Sequence, residues 1–398
     1  MRLILSTIFT VLIAFGGEPV ALNDMFAKSE KCVACHSHIV TEWKSSWHAK
    51  SHYSNDEYFQ KTIEYMARKM RTKSIDTLKV ECASCHNPRI SVTKTSVDDE
   101  IAAVMGLNKG SKLHMATTND NLNEGINCAV CHNIDTIHKN PDPTVRGIHL
   151  VEWMKAGKMS GPYDNAHSPY HKTEKRDFMS DDPNKLCFVC HANNRSVAGH
   201  VFSNTEEEYS KQKNAKLCVD CHMSEKEEGI ASNLPIDNNE PRLRKVRKHG
   251  FQGAHSPELI KGALTLSLSL SNKKLQVRLD NPNPHNVPTG YGGREIGIDI
   301  QFLGDKSYRL KTLSLTSQFL NKRKKKSVPH CATVVTKNEF VPAMGKKVYA
   351  LNIPKGAKSV NVKVYFSLVN KEIIKILKLK EDIWSKKMFV AQKWIDLK

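Results

Sequence analysis

Five copies of Cys-x-x-Cys-His run through this chain of 398 residues, and they limit what it can fold into more than any other feature. They are Cys32-Val33-Ala34-Cys35-His36, Cys82-Ala83-Ser84-Cys85-His86, Cys128-Ala129-Val130-Cys131-His132, Cys187-Phe188-Val189-Cys190-His191 and Cys218-Val219-Asp220-Cys221-His222. The pentapeptide is the attachment site of c-type haem. Its two thiols add across the haem vinyl groups, and the adjacent histidine falls under the iron as proximal ligand. Ten of the eleven cysteines are used in this way, which leaves only Cys331. Disulfides would not need a histidine after every second cysteine. Zinc sites pair C-x-x-C units with one another, whereas here each unit ends in His. The expected cofactors are therefore five covalent haem c groups. Cys32, Cys35, Cys82, Cys85, Cys128, Cys131, Cys187, Cys190, Cys218 and Cys221 anchor them, and His36, His86, His132, His191 and His222 bind the irons.

Residues 1–21 read as a secretory signal peptide: Arg2 is followed by an apolar run to Phe15 that is short for a membrane span. An uncleaved anchor is the alternative. No later segment is apolar enough to span, so no transmembrane segment is expected after cleavage. Export agrees with the motifs, because c-type haem is attached outside the cytoplasm, and the periplasm is the expected compartment. The formal charge is +19. Two propionates per haem would offset about half of it, and the remaining basic surface would steer acidic redox partners, an anionic substrate or anionic headgroups. Nucleic acid is a poor partner for an exported haem protein. The basic runs Arg242–Lys248 and Asn321–Lys326 read as solvated loops.

The motifs are unevenly spaced, so they are not a tandem array of one module. Asp56–Met70 and Asp98–Met105 carry helical patterning, joined by polar loops. A chain wrapping five haems needs little apolar core of its own, since the porphyrins supply buried surface. Residues 22–262 are thus expected to form a pentahaem domain, mainly helical and irregular. After Gly262 the texture changes to period-two alternation in Ala263–Leu270, Leu275–Leu279, Glu295–Phe302, Tyr308–Leu315, Lys347–Ile353 and Ser359–Phe366. Residues 263–398 read as an all-β sandwich. A terminal helix over Lys371–Lys393 is expected from the spacing of Ile373, Ile374, Ile376 and Leu377. Strands gathered after helices point to a multidomain chain, not α/β winding.

Electron transfer calls for a second strong ligand on most irons, and an open position admits substrate instead. Thirteen histidines remain after the proximal five, more than are needed. Trp43-Lys44-Ser45-Ser46-Trp47-His48-Ala49 resembles the W-x-x-S-x-H-A element of the cytochrome c-552/4 family of multihaem cytochromes. Gly125-Ile126-Asn127-Cys128 before the third motif is similar to that family's G-[IV]-x-C-x-x-C-H form. Gly161-Pro162-Tyr163, Ser168-Pro169-Tyr170-His171, the Met223 that follows the fifth motif and His249-Gly250-Phe251-Gln252-Gly253 also resemble it. Pro284-His285-Asn286-Val287-Pro288-Thr289-Gly290 is similar to a G-H-x-x-P-T-G loop of relatives with a C-terminal β-sandwich, with Pro284 in place of Gly. The resemblance covers residues 30 to about 300 and implies distal ligands at His48, His171 and His285. His249 comes next, with His255 as competitor. His138 and His114 compete for the remaining iron, and His52 is an alternative to His48.

The resemblance implies an electron-transfer cytochrome working between periplasmic or membrane-bound redox proteins, and no catalytic residue is assigned. The alternative is a multihaem oxidoreductase acting on a small nitrogen or sulfur compound at one open iron. Pentahaem nitrite reductases attach their catalytic haem through C-x-x-C-K, which is absent here. His330-Cys331 is a tempting nucleophile pair. However, neighbours on a strand point to opposite faces, and Cys331 reads as a small buried residue.

Overall fold

The computed structural model describes residues 27–90, 92, 94–237, 240–304 and 311–397. The segment 1–21, expected to be a signal peptide, lies outside the described residues, as does the start of the expected strand at 308–310.

The first part of the chain is built from short, well-capped helices. α1 spans Val33–Ser45 and α2 spans Trp47–Lys50, with the Ser46 hydroxyl accepting from the Ala49 N–H between them. α3, Glu57–Met70, starts where Asp56 accepts from the Phe59 N–H and stops where Arg71 takes a left-handed conformation. Such caps satisfy the orphan groups at helix ends. Phe59, Ile63 and Met66 fall on one face of α3 and pack on Leu78 of α4, Ile75–His86. That contact fixes α4, whose last turn is the second haem motif.

Strand pairing in this part is minor except in one place. β1 (Ile134–Ile137) pairs with β2 (Val151–Trp153), β3 (Lys158–Gly161) with β4 (Lys172–Lys175), and β5 (Asn194–Arg195) with β6 (Val201–Ser203). The exception is the long hairpin of β7 (Glu227–Asp237) and β8 (Glu240–Val246). It corrects one expectation: Arg242–Val246 is a strand and not a loop, although Leu243 and Lys245 on it stay exposed.

Beyond Gly262 two antiparallel sheets form. One has the order β14-β10-β9, from β9 (Thr265–Ser271), β10 (Lys274–Asp280) and β14 (Lys346–Asn352). The other has the order β13-β12-β11-β15-β16, from β11 (Glu295–Gly304), β12 (Lys311–Leu320), β13 (Val334–Asn338), β15 (Ala357–Ser367) and β16 (Lys387–Asp396). Leu275, Val277 and Leu279 of the first sheet meet Ile296, Ile298, Ile300, Val360, Val362 and Val364 of the second in one core. Alternation puts these apolar residues on the shared face of each strand.

The expected terminal helix is corrected. Only Lys371–Leu377 and Asp382–Ser385 are helical, and the chain then runs into β16. Lys378 takes a left-handed conformation after Leu377 and ends the first of these helices. Met388 and Val390 then alternate into the core, a two-residue period that helical spacing cannot supply.

The two parts are pinned together by a few directed contacts. The Glu57 carboxylate accepts from the N–H groups of Lys380 and Glu381 at 2.8 and 2.9 Å and from the Trp384 indole at 2.8 Å. The Glu208 carboxylate accepts from the Asn286 N–H at 2.9 Å and the Thr289 hydroxyl at 2.7 Å. These contacts hold the 281–290 loop against the first part.

Candidate haem-binding centre

Every motif lies in or beside a helical turn, which brings its two cysteines and its histidine toward one side. All fifteen motif side chains line one continuous cavity of about 1010 Å³. Four of the five motif histidines are held in a defined tautomer. The Nδ1 atoms of His36, His132 and His222 face the carbonyls of Ala231 (2.6 Å), Ser160 (2.8 Å) and Gln252 (2.5 Å), and that of His86 faces Ser51 at 3.3 Å. A carbonyl can only accept, so Nδ1 carries the proton and the lone pair of Nε2 is free for a metal.

Four motif histidines face a second histidine across the cavity. The ring centres are 6.5 Å apart for His36 and His171, 6.2 Å for His191 and His48, 6.5 Å for His132 and His249, and 6.3 Å for His222 and His285. Rings in direct contact come much closer, as Trp47 and His255 do at 3.5 Å. Two metal–nitrogen bonds of about 2 Å, plus roughly 1 Å from each nitrogen to its ring centre, give about 6 Å. The spacing leaves room for one iron between each pair, so the residues fit a haem with two axial imidazoles.

The second histidines are positioned by local chemistry. His249 and His285 direct Nδ1 at the carbonyls of Arg247 and Asn286, both at 3.0 Å. Burial pulls His48 down to about 3, with the charges of His191 and His222 adding to it, and burial brings His249 to about 4. Both are neutral at physiological pH, the form that binds metal. Trp43 donates its indole N–H to the Ile126 carbonyl at 2.8 Å, and Ser46 caps the turn that carries His48. Gly125 has φ +65°, and a Cβ there would lie 2.7 Å from the His48 carbonyl oxygen. The Trp, Ser and Gly of the two sequence elements thus build one joint, which aims His48 at His191.

Comparison with known proteins fits this geometry. Residues 31–108 match the family described as cytochrome c554 and c-prime. A penta-heme cytochrome c552 from Thermochromatium tepidum has the same fold, with a TM-score of 0.68 and 18% identity over 94% of this chain and 99% of that one. Within a chain of that fold, residues 31–108 thus resemble the cytochrome c554 and c-prime family. A superoxide reductase aligns with 35% of this chain and 89% of its own at 10% identity, but its TM-score of 0.18 carries no argument. No curated protein matches. Among the described residues, no helix is long and apolar enough to cross a membrane.

The remaining histidines are placed elsewhere. His138 is half-exposed, with Nε2 2.9 Å from a Glu152 carboxylate oxygen. His114 pairs with Asp76 at 2.9 Å, His52 is bonded to Ser54, and His255 lies flat on Trp47. His86 is the one motif histidine with no second histidine ring at the common spacing among the described residues. One face of its ring stacks on Phe59 at 4.2 Å. His330 is near enough for the charge of His86 to lower its pKa, after burial, to about 3. His330 Nδ1 and the Tyr291 hydroxyl have no hydrogen-bond partner, and both residues line the cavity.

Pro329–Cys331 is a 3-10 turn, so the strand argument for this pair does not apply. While His330 borders the cavity, Cys331 packs with the Phe59, Ile63, Met66 and Leu78 cluster. Burial pushes its thiol up to about 11, which keeps it protonated and inert.

Thiols of different motifs also meet. Cys32 lies close to Cys128, Cys190 to Cys85, and Cys187 to Cys218. Cys131 is close enough to act electrostatically on both Cys187 and Cys190. The motifs therefore follow the order first, third, fourth, and the fourth adjoins both the second and the fifth.

Proposed function

We propose that this chain is an exported electron carrier that holds five covalent haems, four of them between two histidines. The observation that carries the reading is the common spacing of His36/His171, His191/His48, His132/His249 and His222/His285. When bound, each haem supplies one-electron chemistry at its iron. The paired histidines would keep iron low-spin with little change of geometry on reduction. Residues 22–262 would form the haem domain. Residues 263–398 would form a sandwich that contributes His285 and covers one end of the cavity. The contacts between motifs support a path from the first through the third to the fourth, branching there to the second and fifth. A periplasmic location and acidic redox partners suit the attachment chemistry and the charge of +19.

A second reading rests on His86. With no second histidine ring at that spacing among the described residues, its iron would keep one position open near His330, the place for a small nitrogen or sulfur compound.

Stopped-flow mixing of the reduced protein separates the two. The carrier reading expects fast reoxidation by a small oxidised c-type cytochrome, and nitrite, hydroxylamine and sulfite should leave it reduced over many such turnovers. Rapid reoxidation by one of these compounds, with its product accumulating, would favour the enzyme.

A further inference from the structure

Arg294 is an enclosed cation with no acid bonded to it among the described residues. It stands at the root of β11, the middle strand of the larger sheet, and its backbone is fixed by the Thr316 hydroxyl, which donates to the Arg294 carbonyl at 2.8 Å. Its Nη1 donates to the Thr289 carbonyl at 2.6 Å. Gly290, at φ +77°, makes room for the head group, since a Cβ there would lie 2.7 Å from Nη1. The loop that carries His285 is thus shaped around this guanidinium.

Arg294 itself lines the cavity. Its charge is felt at His191, His285 and His255. Burial is the sole cause of its lowered pKa, and no carboxylate among the described residues offsets it. A guanidinium has five N–H donors in a fixed fork, and it cannot shed its charge to escape the interior. A desolvated cation left unpaired is strongly destabilising, so the complete protein must place an anion there.

We propose that Arg294 is the seat of a haem propionate, from the haem attached at Cys187–His191 or at Cys218–His222. A carboxylate matches the guanidinium fork in two parallel bonds. Arg294 would then tie the sandwich to the cofactor and hold the potential of that haem up by its positive charge. The proposal rests on the five-haem reading, and a haem count on each sample separates failure of one from failure of the other.

The test is a spectroelectrochemical titration of the full, haem-loaded protein with Arg294→Gln and Arg294→Lys. With five haems retained, Arg294→Gln should lower one midpoint potential and make it pH-dependent near neutrality, because the orphaned carboxylate takes up a proton on reduction. Arg294→Lys, which keeps the charge, should restore most of the potential. It should still shift a carboxylate band in the redox-difference infrared spectrum, a readout that survives if Arg294→Gln does not fold. Unchanged potentials in Arg294→Gln, or an unchanged band in Arg294→Lys, would overturn the proposal. So would a wild-type potential that moves on adding sulfite or phosphate and no longer does so in Arg294→Gln, since the occupant would then be a free anion.

Discussion

Replacing His285 with alanine should turn one low-spin iron, that on His222, into a high-spin centre that binds cyanide or carbon monoxide. His285 stands 6.3 Å from His222 between ring centres, and among the described residues no other histidine ring pairs with His222. The loop should survive the change. Asn281 holds it by donating to the carbonyls of His285, Val341 and Pro342 at 2.8, 3.1 and 2.9 Å, and those bonds do not involve the imidazole. Burial and the charge of His222 keep His285 neutral, so its lone pair is available for metal. The expected loss is the low-spin signal of one haem, with the haem count unchanged. The measurement is a ferric spectrum with cyanide titration of the folded variant. A low-spin content equal to that of the wild type would remove His285 from the ligand set.

The corresponding change at His48 should do more, because of where its partner lies. His191 belongs to the fourth motif, whose cysteines meet those of the second and fifth, while Cys131 links it to the third. His48→Ala should therefore make the junction iron high-spin and alter its potential. Electron equilibration among the haems should slow by an order of magnitude or more (~10-fold, about 1.4 kcal/mol of barrier). His171→Ala, opposite the first motif at the far end of the chain of contacts, should slow only exchange at that end. The comparison is made by following reduction phases after a flash-generated electron donor. Equal slowing in the two variants would contradict the branched order.

How much of this was legible in the sequence depended on how local the information was. The haem anchors were plain, because two cysteines and a histidine within five residues carry the whole chemistry. Strands from Thr265 to Ser367 were recognisable where alternation ran for several residues, as in β11 and β15. β13, with its Val334-Val335-Thr336-Lys337-Asn338, lies at a sheet edge and shows too little apolar contrast to read. At 371–377 the helical spacing was real but stopped at Lys378, and Met388 and Val390 follow the strand period instead. The second histidines were visible only through resemblance. What selects them is a cavity closed by residues distant in the chain, which no local spacing reports. The same holds for His138: nothing in its neighbourhood announces the Glu152 set 2.9 Å from its ring. Arg294 and Tyr291 were missed because a Tyr-Gly-Gly-Arg turn between strands looks like any other loop.

Low-temperature electron paramagnetic resonance on the fully oxidised protein, with haem counted on the same sample, tests the pairing of histidines most directly. The account predicts five haems, four ferric low-spin and one high-spin, the last belonging to His86. Five low-spin irons, or fewer than four, would contradict it.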